Sequence, residues 1–213
     1  MISRPFIILL LSLLLGLPSP GNASDDKSPV CAYSERQFTD YEHLSHLGLV
    51  YGVSWIVYPL TQPRILRGEL GSWRLYRENL GKVVFDHDRP RWNWLVHPVS
   101  GSQLYLFYRA IGNDRHGSFL MTFISSALFE FTIETYSEPA SIQDLYQTPV
   151  LGTALGYGIE IVSADLLSRE SKLARYMGRI INPFSFLVDR ASFTLVPITD
   201  FHSTVGLRFH MGI

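Results

Sequence analysis

The sequence predicts a mainly α-helical protein: a compact bundle of about four to six helices followed by a small C-terminal β-hairpin. Three observations carry this. Apolar residues recur at steps of three and four through most of residues 40–181. Prolines, glycines and short polar runs cut that stretch into segments of helical length. Beyond Asn182-Pro183 the period changes to two.

The elements follow in chain order. Leu44, Leu47, Tyr51, Trp55 and Tyr58 mark one helix face between Asp40 and Tyr58, and Pro59 and Pro63 are expected to end it. Residues 69–80 read as a short amphipathic helix, with Leu70, Trp73, Tyr76 and Leu80 opposite Arg74, Arg77 and Glu78. Asp86-His87-Asp88-Arg89-Pro90 is a polar connection. A third segment spans Trp92 to Ile111, with Pro98 near its start and Gly112-Asn113-Asp114 as its turn. Two longer helices are expected at about Ser118–Tyr136 and Ile142–Leu167. Ser141 and Asp144 fit a helix-start signal for the second, and Pro149 should kink it or delay its start. Residues 172–181 pattern as a short amphipathic helix. Ser192–Val196 and Thr204–His210 read as strands, Val205, Leu207 and Phe209 alternating with polar residues and glycine.

The N-terminus reads as a secretory signal over residues 1–23. Arg4 precedes an apolar run from Phe6 to Leu17, and Gly21-Asn22-Ala23 offers small residues before a cut. The apolar run is about a dozen residues, short of the ~20 that span a bilayer. Residues 24–39 are polar and expected to be flexible, residues 40–181 form the helical domain, and residues 182–213 the β element. Cys31 is the single cysteine, so the exported chain has no disulfide framework. Export without disulfides indicates a bacterial envelope protein, periplasmic or associated with the outer membrane. A net charge of −1 provides no basic surface, which excludes nucleic acid as a partner on electrostatic grounds. Membrane lipid or another envelope protein remains as a partner class. The sequence assigns no oligomeric state.

The residues of chemical interest lie on the two longer helices. Ser118, Thr122, Ser126, Glu130 and Glu134 keep a four-residue step, and so do Asp144, Thr148, Gly152, Gly156 and Glu160. Two polar seams on apolar helices should face each other. In the preceding segment His97, Gly101, Tyr105 and Arg109 keep the same step. Glu130 and Glu134 are one turn apart and repel, so the pair needs a cation, a shared proton or a metal. The candidate site is therefore His97, Arg109, Glu130, Glu134 and Asp144. Its plainest reading is a buried structural network that sets helix register. The alternative is a membrane-proximal hydrolase of lipid or glycan. There Glu130 or Glu134 would be the base, His97 its partner and Arg109 an anion clamp. No H-E-x-x-H spacing, phosphate loop, dinucleotide fingerprint or CxxC is present, so no metal or other cofactor is expected. Ser125-Ser126 lacks a nucleophile elbow, and Gly152-x-x-x-Gly156 indicates close helix contact.

Three blocks carry a resemblance. The first is Asp86-His87-Asp88, Trp94-Leu95-Val96-His97-Pro98-Val99-Ser100-Gly101 and Tyr105 to Arg109. The second is Ser118, Ser125-Ser126, Phe129-Glu130 and Glu134. The third, and most specific, is Glu138 to Leu145, Thr148-Pro149, Gly152 and Gly156. Together they resemble the bacterial family catalogued as domain of unknown function 3943, over about residues 70–185. This chain has Phe129 where the family usually has Trp, Ala140 where it has Pro, and Tyr157 where it often has Glu. The resemblance implies an exported or envelope protein and assigns no activity.

Overall fold

The computed structural model describes residue 33 and residues 35–86, 88–188, 193–200 and 204–211. The export signal read over residues 1–23 lies outside them. The described chain is mostly helical. Helix α1 (Asp40–Thr61) starts on a reciprocal cap, in which the Thr39 hydroxyl accepts from the Glu42 N–H and the Glu42 carboxylate from the Thr39 N–H. It runs through Pro59 rather than ending there. A proline removes one backbone donor near the last turn, which the helix tolerates. Short helices α2 (Pro63–Leu66) and α3 (Trp73–Asn79) follow.

Strand β1 (Val83–Val84) then pairs in parallel with β2 (Ala140–Ser141), a link that helical periodicity does not reveal. Helix α4 (His97–Ala110) is entered through a π-helical turn at Trp92–Val96. Helix α5 (Arg115–Leu128) is capped by Asp114 and continues through a π turn at Phe129–Ile133 and a 3₁₀ turn at Glu134–Tyr136. The next helical stretch is continuous from Asp144 to Ser168: α6 (Asp144–Tyr146), a π turn at Gln147–Leu151 around Pro149, and α7 (Gly152–Ser168). Among the described residues it is long and apolar enough to cross a membrane by length and composition, with a mean hydropathy of 1.4. Its inner face holds Gly152, Gly156, Glu160, Ser163 and Ala164. Helices α8 (Lys172–Ile181) and α9 (Ser185–Val188) follow. Beyond them β3 (Phe193–Asp200) and β4 (Thr204–Met211) run in antiparallel register, from Phe193↔Met211 to Asp200↔Thr204.

Helix α4 is the centre of the fold and packs most extensively on α7. The two run parallel in a fixed register. Gly101 meets Gly152 and the Thr148 carbonyl, Tyr105 meets Gly156, and Arg109 meets Glu160. An apolar cluster of Tyr108, Ile111 and Met121, with Leu47, Val50 and Phe107, joins α1, α4 and α5. The interior is nevertheless mainly polar. Among the described residues 22 polar or charged side chains are buried against 10 apolar ones, so hydrogen bonding must satisfy much of what packing encloses.

Candidate functional site

The first seam is buried along its whole length: Ser118, Thr122, Ser126, Glu130 and Glu134 all face inward. A step of four residues leads the 3.6-residue period, so a straight helix would turn the stripe about 40° with each step. The π turn at Phe129–Ile133 is wider, and Glu130 lies within it. Both glutamates therefore remain inside. The second seam divides. Thr148 to Glu160 lies against α4, in register with His97 to Arg109. Only its first part, around Asp144, meets Glu130. The expectation that the two seams face each other along their lengths holds for that end alone.

At that end three helical segments converge. His97 opens α4, Glu130 follows α5, and Asp144 opens α6. One ligand atom from each lies within 4.8 Å of the other two. His97 Nε2 is 3.4 Å from Asp144 Oδ1, and His97 Nδ1 contacts the Thr148 hydroxyl at 3.2 Å. Glu130 is 1 % exposed and accepts from the Ser141 N–H at 3.2 Å. Asp144 Oδ1 accepts no hydrogen bond among the described residues, although the side chain is only 6 % exposed. Glu134 lies beside Glu130 and Glu138, and its Oε2 is buried with no hydrogen-bond partner among the described residues. All three segments contain or adjoin a π turn, a local widening that often marks functional positions.

Asp86 is the residue that sequence reasoning left in a polar connection. The β1–β2 pairing brings it to the site. Its carboxylate accepts from the Ser141 hydroxyl, from the Asp88 N–H at 3.0 Å and from the Asn93 amide at 3.3 Å. The Gln143 amide bridges back to the Asp86 carbonyl at 2.8 Å. The signal lay in the run Asp86-His87-Asp88, two carboxylates in three residues.

The electrostatics follow from crowding carboxyls in a dry space. Burial pushes Glu130 up to about 7, against hydrogen bonds that favour its charge. Burial, then the neighbouring Glu130, raises Glu134. Asp144 is pushed up to about 8 by burial and by Glu130. Burial raises Glu138, with Asp88 and Asp86 adding to it. Burial works against ionisation of Asp86 as well, yet the Ser141, Asp88 and Asn93 donors hold its carboxyl below the usual range. Burial lowers His97, which favours the neutral imidazole.

Arg109 takes no part in this cluster. Its Nε and Nη2 donate to the two Glu160 oxygens, each at 3.1 Å, and Nη1 reaches the Asn113 carbonyl and Glu35. Tyr105 donates to Glu160 at 3.0 Å, and Arg115 lies 3.4 Å from it. Glu160 thus has the cations that Glu130 and Glu134 lack: no ion pair links Arg or Lys to Glu130, Glu134 or Asp144 among the described residues. The expected five-residue cluster is two sites. One is an ion-pair lock of Arg109 and Glu160, the other an acidic cluster with His97 as its nitrogen donor.

No curated protein and no solved structure matches the chain. The family model described as domain of unknown function (DUF3943) matches residues 82–184. That span, just under half of the chain, contains both clusters, and over it the chain resembles this family, in agreement with the three sequence blocks.

Proposed function

We propose that this is an exported protein of the bacterial envelope with a binding role, and that its ligand is a divalent metal cation held between His97, Glu130 and Asp144. The observation that supports this most directly is the orphaned Asp144 Oδ1, buried and close to His97 Nε2 with Glu130 nearby. A buried acceptor without a partner is costly, and a cation satisfies it. The Thr148 contact occupies Nδ1 and leaves Nε2 to bind. One imidazole nitrogen with two carboxylates suits zinc or manganese. The ligands come from three separate segments, which is why no compact ligand spacing exists in the sequence.

The hydrolase reading is less well supported, because Glu130 and Glu134 are 1 % and 8 % exposed and Arg109 is committed to Glu160. In its finer form the proposed fold is a compact bundle of four to six helices with β3 and β4 as a C-terminal hairpin. The antiparallel register supports that closure.

The test is calorimetric titration of chelator-treated protein with zinc and with manganese. One cation should bind per chain, and Asp144→Asn or His97→Ala should weaken uptake by at least ~10-fold while the helical circular dichroism is retained. A folded protein that takes up neither metal sinks the reading. Fractionation of exporting cells should recover the protein in the periplasm or with the outer membrane; retention in the cytoplasm would refute export.

A further inference from the structure

We infer that α8 is an interfacial helix that seats the protein on an anionic lipid surface. Its ten residues divide into three faces. The inner face is fixed to α7: the Ser163 hydroxyl donates to the Gly178 carbonyl at 3.0 Å, and a Cβ on Gly178 would lie 3.1 Å from the Leu166 and Leu167 side chains. The outer face carries Leu173, Tyr176, Met177 and Ile180, which are 70, 64, 44 and 54 % exposed. At 3.6 residues per turn they span an arc of about 100°. Lys172, Arg175 and Arg179 form the third face, along one edge of that arc.

A soluble helix normally turns such a face into the core. Here the close contact at Gly178 fixes the opposite orientation. The continuous apolar arc exceeds scattered surface leucines, which need no explanation. The basic edge selects the partner. A helix with an apolar arc and flanking Lys and Arg lies in the plane of a bilayer, its side chains entering the acyl boundary and its cations meeting lipid phosphates. Phe186, 49 % exposed, extends the surface beneath the Arg179 guanidinium at 4.9 Å. A second protein chain would find the same apolar arc, but its surface would also have to supply the negative charge. Anionic lipid supplies both features at once. The inference is independent of the cation site.

The test is co-sedimentation of the protein, purified from exporting cells, with vesicles of phosphatidylglycerol and phosphatidylcholine and with vesicles of phosphatidylcholine alone. The parent should partition to the anionic vesicles. Lys172→Glu with Arg175→Glu should weaken that partition by at least ~30-fold, the loss of two cations alone, and Leu173→Glu with Ile180→Glu should remove it. All these residues are exposed, so circular dichroism should be unchanged. Equal partition of parent and the Leu173→Glu/Ile180→Glu variant would overturn the inference. Partition indifferent to lipid charge would do the same. So would a concentration-dependent dimer lost in these variants, which would identify a second copy as the occupant.

Discussion

Gly101→Ala adds one methyl group where two helix backbones touch. An ideal Cβ at residue 101 would lie 1.8 Å from the Thr148 carbonyl oxygen, 2.7 Å from its carbon and 3.0 Å from the Gly152 Cα. All three are backbone atoms, so no side chain can turn away. Restoring the first contact even to about 3.0 Å, below which Cβ contacts hardly occur, requires α4 and the 147–151 turn to part by about 1.2 Å. Overpacking of this kind costs typically ~1–3 kcal/mol, sometimes more. Alanine returns ~1 kcal/mol through its helix propensity. With backbone on both sides the upper end of that range applies, and a net loss of about 2 kcal/mol is expected, which lowers Tm by roughly 4–8 °C at this chain length. The displacement acts on Thr148, which holds His97 Nδ1, so cation affinity should fall by at least ~10-fold as well. Gly158→Ala on α7 is the matched control, because a Cβ there meets nothing within 4 Å. It should be neutral or stabilising by up to ~1 kcal/mol. Urea denaturation of both variants measures the difference. A Gly101→Ala protein as stable as the Gly158→Ala protein would refute the argument that the backbone contact sets the spacing of α4 and α7.

Arg109→Met should cost about 3–5 kcal/mol in urea unfolding, because it strips the bidentate partner from Glu160, itself 4 % exposed. Adding Glu160→Met should recover most of that loss; an additive double variant would mean that the pair is not coupled. Glu130→Gln should leave stability within about 1 kcal/mol, because the amide oxygen can still accept from Ser141, while metal uptake is lost. A large stability loss would instead favour the purely structural network. In chelator, stability should fall between pH 6.5 and 8. Asp144, raised to about 8 when folded, and Glu134, also raised, bind protons more tightly in the native state, so their contribution fades as pH rises. His97, lowered on folding, acts the other way, but its contribution is complete above its unfolded value of 6.5. Thermal melts at the two pH values measure this, and a rise in Tm across that window would contradict the assigned protonation.

Much of the site was legible because buried polar residues on apolar helices reveal their spacing. His97, Glu130 and Asp144 were found that way and come together, with Glu134 beside Glu130. Helix α8 was legible to the residue, since its three faces are strongly contrasted. The partner of Arg109 was not. A four-residue step shows which residues share a face but not which helix that face meets. The missed clue was the agreement between two series: 97, 101, 105, 109 and 148, 152, 156, 160 have matching glycines opposite each other and end in opposite charges. The three π turns were also hidden, because hydrophobic periodicity assumes a constant pitch. Asp86 was missed for another reason: the two-residue strands that bring it in are too short to show alternation.

The polar interior has a thermal consequence. The heat capacity of unfolding rises with apolar surface exposed and falls with polar surface exposed. With 22 polar against 10 apolar side chains buried among the described residues, the two terms largely oppose each other. The increment per residue should therefore lie below the usual ~12–15 cal/mol/K. Stability then changes slowly with temperature, and the curve is broad, its cold limit lying far below the freezing point of water. A fold held by hydrogen bonds and buried charge in this way should keep most of its stability across a wide span of temperature.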